Sequence, residues 1–136
     1  MSLTKYDNKP VRPGFESLRI WKISYELMLE MHEICRTLPR SEFRLKDQAE
    51  RSSSSVPDNI SEGYGSYYFK EKTKCFYSAR REATETQNHL RKMEGKRCIT
   101  KEKSNDLVYK YEGLNRGINA YINYIKEKSN NKNGAR

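Results

Sequence analysis

The sequence predicts an all-α chain folded as an antiparallel up-down four-helix bundle, with the second helix kinked near Pro57. Three observations predict it. Four stretches repeat apolar residues every three or four positions, the period of a helix face. No stretch shows the sustained alternation or the valine-rich runs of strands. Pro39, the run Gly63-Tyr64-Gly65-Ser66 and Gly95 fall between the stretches, where helices stop. Four amphipathic helices joined by short connections bury their stripes against one another as a bundle. The expected organisation is an irregular arm over 1–14, the bundle over 15–127 and a flexible polar tail over 128–136.

The first helix is expected from Phe15 to Leu38, ended by Pro39, because the residue before proline avoids the helical region. It carries two apolar stripes. One is Leu18, Trp21, Tyr25, Met28 and Cys35; the other is Ile20, Ile23, Leu27, Met31, Ile34 and Leu38. Together they make an apolar face wider than a two-helix seam requires. The second helix is expected to start at Ser41 as N-cap with Glu42 in the first turn, and to carry Leu45, Ala49, Val56 and Ile60. Pro57 lacks an N–H, so a kink or break is expected there, with upstream serines of Ser52–Ser55 available to the freed carbonyl.

Ser66 is the expected cap of the third helix, Tyr67 to Met93, whose inward positions are Phe69, Phe76, Ala79, Ala83, Thr86 and Leu90, with Gly95 as its stop. The fourth helix, capped by Thr100, shows a heptad seam of Leu107, Tyr111, Leu114, Ile118, Tyr121 and Ile125. Gly113 and Gly117 interrupt it and are expected to mark close helix contact. Tyrosine supplies 10 of the 15 aromatics, and a tyrosine buries its ring while keeping its hydroxyl wet. With the wide face of the first helix, this points to a homo-oligomer.

Lys plus Arg is 27 against 18 for Asp plus Glu, a net charge of +9 that is attractive to polyanions. The excess lies late in the chain: residues 96–136 hold 10 basic and 4 acidic groups. No run approaches the roughly 20 apolar residues of a membrane helix, so no membrane span is expected. The first residues lack the apolar run of a secretory signal. Cys35, Cys75 and Cys98 are odd in number and widely spaced, fitting neither a disulfide framework nor a zinc clip, and a reducing cytoplasm is the expected setting.

No Glu-x-x-His of a di-metal bundle occurs. Nor does a nucleophile turn, a Walker pattern or a dinucleotide glycine pattern. No catalytic residue, cofactor or metal is therefore expected. Lys70, Lys74, Tyr77 and Arg81 recur at steps of four, three and four on the third helix, a line of cations with an interposed ring that can meet phosphates and stack on a base. Arg91, Lys92, Lys96, Arg97, Lys101 and Lys103 cluster about the next loop. The competing reading is a solvated face balanced by Glu71, Glu82 and Glu94. Asn59 and Glu62 share one face of the second helix, and a polar network holding the helix ends, near Glu85, is the favoured reading over a ligand site.

Several residues together carry a family resemblance. Phe15, Leu18, Trp21 and Lys22 open the first helix; Leu38-Pro39, Glu42, Leu45, Gln48 and Arg51 follow. Then comes Ser55-Val56-Pro57, followed by Asn59-Ile60-Ser61-Glu62-Gly63-Tyr64, the most specific part. The chain from about Phe15 to Ile125 resembles the four-helix-bundle family encoded by intervening sequences of 23S ribosomal RNA genes. The wider group includes the accessory variability determinant of diversity-generating retroelements. Trp21, Asn59, Glu62, Gly63 and Glu85 are the positions of its structural motif, and Ala79 and Leu90 also match. Arg81-Glu82 stand where the family has a Gly-Ser pair. The resemblance implies a five-fold ring with a basic surface. It further implies a role in binding RNA or an RNA–DNA hybrid, or as an accessory subunit or scaffold for a reverse transcriptase, without enzymatic activity.

Overall fold

The computed structural model describes residues 14–134, with side chains placed through 131. The described chain is helical throughout, with no strand among these residues. A short 3-10 turn, Gly14–Ser17, precedes α1 (Arg19–Arg36); a second, Arg40–Glu42, leads into α2 (Phe43–Gly65); α3 (Phe69–Gly95) and α4 (Lys101–Gly134) complete the bundle. Each helix packs on its chain neighbours, and α4 closes the ring by a slighter contact with α1. The neighbours run antiparallel: Cys35 meets Lys46, Ser52 meets Thr86, and Arg91 meets Ser104 while Tyr77 meets Lys126.

The core follows the stripes with adjustments. On α1 the second stripe points inward, with Ile20, Leu27, Met31 and Ile34 buried. Of the first stripe only Cys35 is buried; Tyr25 is exposed and stacks on Trp21 at 4.9 Å, and Phe15 meets Trp21 edge-on at 5.1 Å. On α3 Phe76, Ala79, Ala83, Thr86 and Leu90 are buried as expected, but Phe69 is 37% exposed. It lies in the first turn, beyond the reach of α2. Met93 and His89 are buried instead. On α4 Ile122 joins Leu107, Tyr111, Leu114, Ile118 and Ile125 in the core while Tyr121 stays half-buried against Phe76, at 4.8 Å between ring centres. A strict heptad drifts around a straight helix, which brings Ile122 inward by the last turns.

Several boundaries differ from those the sequence suggests. α1 stops at Arg36, where the Thr37 hydroxyl and backbone N–H both reach the Ile34 carbonyl. Ser41 lies inside the 3-10 turn, and Glu42 takes the N-cap position of α2 with no side-chain cap bond. α2 runs through Pro57 without a break. Proline removes one hydrogen bond, and its ring is buried. The serine hydroxyls do not turn to the carbonyl freed by Pro57: Ser52 and Ser53 bond the carbonyls of Ala49 and Glu50. Ser66 closes α2 and does not open α3, since its hydroxyl donates to the Glu62 carbonyl at 2.9 Å. Thr100 does cap α4, its Oγ1 accepting the Lys103 N–H at 3.1 Å. α4 continues to Gly134, past the point where a flexible tail was expected. The expected N-terminal arm lies, apart from Gly14, outside the described residues.

α3 ends in a Schellman motif that the sequence disguises. The Cys98 N–H reaches the Met93 carbonyl at 2.8 Å and the Arg97 N–H reaches Glu94 at 2.9 Å. The left-handed residue the motif needs is Arg97, at φ 64°, and not the expected stop Gly95.

Gly63 and Gly117 mark close approaches. A Cβ on Gly63 would lie 2.9 Å from Cys75 Cβ and from a Phe76 ring carbon; one on Gly117 would lie 3.0 Å from Ile20. Gly113 has no such neighbour on another helix. Ser52 and Thr86 join hydroxyls across the buried α2–α3 seam at 2.7 Å. Burial pushes the Cys35 thiol up to about 11, with Glu50 adding to the shift. Burial also raises the Tyr111 phenol, whose hydroxyl has no partner.

Candidate nucleic-acid interface

α3 and α4 leave an open groove of about 1030 Å³ between their outer faces. Lys70, Lys74, Tyr77 and Arg81, spaced on one side of α3, all line it. Thr73, Arg80 and Thr84 of the same helix join them, and Glu112, Asn115 and Asn119 come from α4. The groove exists because these positions lie just outside the α3–α4 seam, next to buried Phe76, Ala79 and Ala83. Long side chains there extend along the surface and keep their charges in water.

Tyr77 organises the wall. Its hydroxyl accepts a 2.7 Å hydrogen bond from Lys126 Nζ, and the Arg80 guanidinium sits 4.9 Å from the ring centre. The Lys126 ammonium, 5.4 Å from that centre, lies beyond the hydroxyl and not over the face, as the short hydroxyl contact requires. Arg80 also donates to Asn119 Oδ1 at 2.5 Å, and Asn115 donates to Thr84 at 3.2 Å. Two cations are thereby fixed around one ring. Glu112 is the lining carboxylate, and it accepts from Gln87 at 3.1 Å. Among the described residues, none of Lys70, Lys74, Arg80, Arg81 and Lys126 has a carboxylate within salt-bridge distance.

The second expected cluster is arranged differently. Arg91 bonds Glu94 at 2.9 Å, Asn105 at 2.7 Å and Ser104 at 3.2 Å, joining α3 to α4. Lys96 pairs with Glu42 at 2.9 Å, tying the α3–α4 loop to the start of α2. Lys103 lies 3.9 Å from Glu30 of α1. Arg97 forms the left-handed turn. Lys92 and Lys101 are exposed and have no ion pair among the described residues. The structure thus gathers one set of predicted cations around a groove and uses half of the other set to hold helices together.

The motif residues do not form one network. Asn59 donates to the Ser55 carbonyl of its own helix at 2.8 Å. Glu62 is exposed, near Cys75 on α3, and burial together with Glu62 raises the Cys75 thiol. Glu85 lies farther along α3, in a small cleft with Gln48, Arg51, Glu82 and His89. Burial, with Glu85 beside it, raises Glu82; burial, with Lys92 next, lowers His89. Gly63 and Trp21 act in packing. His32 is half-buried and meets Ser54 at 3.1 Å and Glu50 at 3.5 Å.

Arg80 and Asn119 in the groove, and Lys126 bonded to Tyr77 at its edge, are among the residues that sequence reading missed. Arg80 is three residues past Tyr77, so helical spacing alone places it nearby. Lys126 needed the register of α4 against α3. Among the described residues no group of three or more His, Cys, Asp or Glu is placed to hold a metal, and no helix is long and apolar enough to cross a membrane.

The family model of the 23S rRNA-intervening sequence protein matches residues 16–120, from before α1 into α4. The chain belongs to this family. A crystal structure of a protein of unknown function from the S23 ribosomal protein family of Bacteroides thetaiotaomicron superposes with a TM-score of 0.72. It is 21% identical, over 76% of this chain and 95% of that one. That likeness supports the four-helix fold. No curated protein matches the chain. In this 23S rRNA-intervening sequence family member, Arg81-Glu82 turn their charges to the two outer margins of α3. Arg81 lines the α3–α4 groove and Glu82 the α2–α3 cleft, so the pair does not enter the helix seam.

Proposed function

We propose that this protein is a non-catalytic nucleic-acid-binding bundle whose α3–α4 groove takes the phosphate backbone of RNA or an RNA–DNA hybrid. The observation that carries the reading is the groove's charge. Lys70, Lys74, Arg80 and Arg81 line it with Lys126 at its wall, against the carboxylate of Glu112. Unpaired cations at an open groove attract phosphates by releasing condensed counterions. Tyr77 lowers the ordering cost by holding Arg80 and Lys126 in place before any ligand arrives.

The chain acts as a homo-oligomer in this reading, the pentamer implied by the family likeness. Tyr25 and Leu29 are 41% and 48% exposed on α1. On the flank of α1 that faces α4 a cleft of about 510 Å³ opens, where Ile20, Ile23, Leu27 and Leu114 stand among Arg19, Glu26, Glu30 and Lys110. Both features leave apolar surface on α1 for neighbouring subunits, away from the α3–α4 groove. Copies joined there multiply a weak contact by effective concentration.

The test is RNA affinity measured across a salt series. Each phosphate contact adds about 0.7 to the log–log slope for a single strand. Replacing Lys70, Lys74 and Arg81 by alanine together is expected to flatten the slope by about 2. A salt-independent affinity, or an unchanged slope in the triple variant, refutes the groove. A monomeric mass by light scattering refutes the multivalent part.

A further inference from the structure

We infer that Tyr67 and Tyr68 form a base-stacking platform at the end of the cationic groove, so that the nucleic acid it takes presents unpaired bases. This rests on the groove reading above and names its ligand more narrowly.

The two tyrosines occupy the link between α2 and α3, and they are 87% and 64% exposed. Neither packs on the core. Their rings sit 5.1 Å apart at 86°, so each leaves an open face toward solvent. Small polar residues would serve such a link at less exposed apolar area. The link is not a loose tether. Ser66 closes on Gly63 and Glu62, and the Lys72 ammonium donates to the Gly63 and Tyr64 carbonyls at 2.9 and 3.0 Å. The Tyr68 carbonyl accepts the Lys72 N–H at 2.9 Å, making Tyr68 the first residue bonded to α3. Backbone fixed on both sides presents the rings with little conformational entropy left to lose.

In the chain, the groove's cations begin just after the rings. Lys70 lies two residues past Tyr68, one helical turn before Lys74, and both line the groove. A strand whose phosphates follow Lys74 and Lys70 toward the start of α3 brings its next bases to Tyr68 and Tyr67. An aromatic platform beside a cationic track is the physical arrangement that holds single strands, because every base has a π face. A duplex hides those faces in its own stack and offers the rings nothing. The occupant is therefore a single strand, or the loop or frayed end of a folded RNA.

The experiment uses the full chain, with a short mixed-sequence RNA presented either single-stranded or annealed to its complement, titrated at one fixed salt concentration. Tyr67→Ala with Tyr68→Ala is expected to weaken single-strand binding about tenfold or more, the size of one to two lost stacks, and duplex binding less than about twofold. Tyr67→Phe with Tyr68→Phe keeps both rings and is expected to bind like the parent. Lys70→Ala with Lys74→Ala weakens both ligands. Unchanged circular dichroism shows that the alanine variant is folded. Equal losses for single strand and duplex overturn the inference. So does no loss for either, or a change in assembly mass that marks the pair as a contact between copies. If the parent binds the RNA with a steep salt dependence and the tyrosines do not matter, stacking alone falls. If the parent binds neither RNA, the groove reading and this inference fall together.

Discussion

Arg97→Gly tests the backbone reading and the surface reading in one variant. Arg97 holds φ 64° in the Schellman turn that ends α3. An L-residue in the left-handed region costs about 1–2 kcal/mol, which glycine escapes. Glycine gives back about 0.4–1 kcal/mol through the greater freedom of its unfolded chain. The net expectation is a gain of about 0.5–1 kcal/mol. The Arg97 side chain is exposed and makes no hydrogen bond or ion pair among the described residues, so its removal subtracts little. With an unfolding entropy of about 2.1 cal/mol/K per residue over roughly 120 residues, the gain raises Tm by about 2–4 °C. The assay is thermal unfolding followed by circular dichroism at fixed protein concentration, since an oligomer's Tm depends on it. Arg97→Ala keeps a Cβ in the same strained place and is expected to match the parent. A glycine variant no more stable than the alanine variant refutes the left-handed assignment. If the RNA salt slope also falls by about 0.7 in both variants, Arg97 contacts a phosphate as well.

Further expectations concern the seam, the buried histidine and the thiols. Gly63→Ala drives a methyl to 2.9 Å from Cys75 and Phe76 and is expected to cost about 1–3 kcal/mol in urea unfolding, whereas Gly65→Ala meets nothing within 4 Å and is expected to be neutral or stabilising. Burial and Lys92 hold the His89 pKa below its ordinary value, against Glu85. The unfolded chain then binds the proton first, so stability is lost as pH falls below about 6.5 toward the folded pKa. His89→Gln should show a smaller Tm drop between pH 7.5 and 5; an identical drop sinks the assignment. Cys35, buried with its pKa raised to about 11, should resist a thiol reagent at neutral pH until the bundle unfolds, while Cys75 and Cys98, both half-buried, react earlier. Mass mapping of the labelled cysteines decides the order.

The fold was legible because helix burial is periodic. Leu27, Met31 and Ile34, or Leu107, Tyr111 and Leu114, announce their inward face by spacing alone, and each is buried. Ends were less legible, because a cap depends on the local backbone as well as on residue type. Ser41 and Ser66 have the side chains of N-caps and do not serve as such, whereas Thr100 does. Gly95 was the apparent stop, yet Arg97 takes the left-handed turn. Pro57 signalled a kink or a break, and α2 is unbroken there.

The same division runs through the candidate interface. Lys70, Lys74, Tyr77 and Arg81 could be assigned to one side of α3 because a single helix fixes the relative directions of its side chains. Whether that side faced a groove, and whether a lysine was free or ion-paired, depended on other helices. Lys96 finds Glu42, 54 residues away, and Lys126 finds Tyr77 across 49. By itself the sequence determined the helices, their buried stripes and an excess of positive charge, all of which follow from residue type and a local period. Only the tertiary structure decided which cations stand open to a ligand and which are spent on holding the bundle, because that depends on helix register, which no local period encodes.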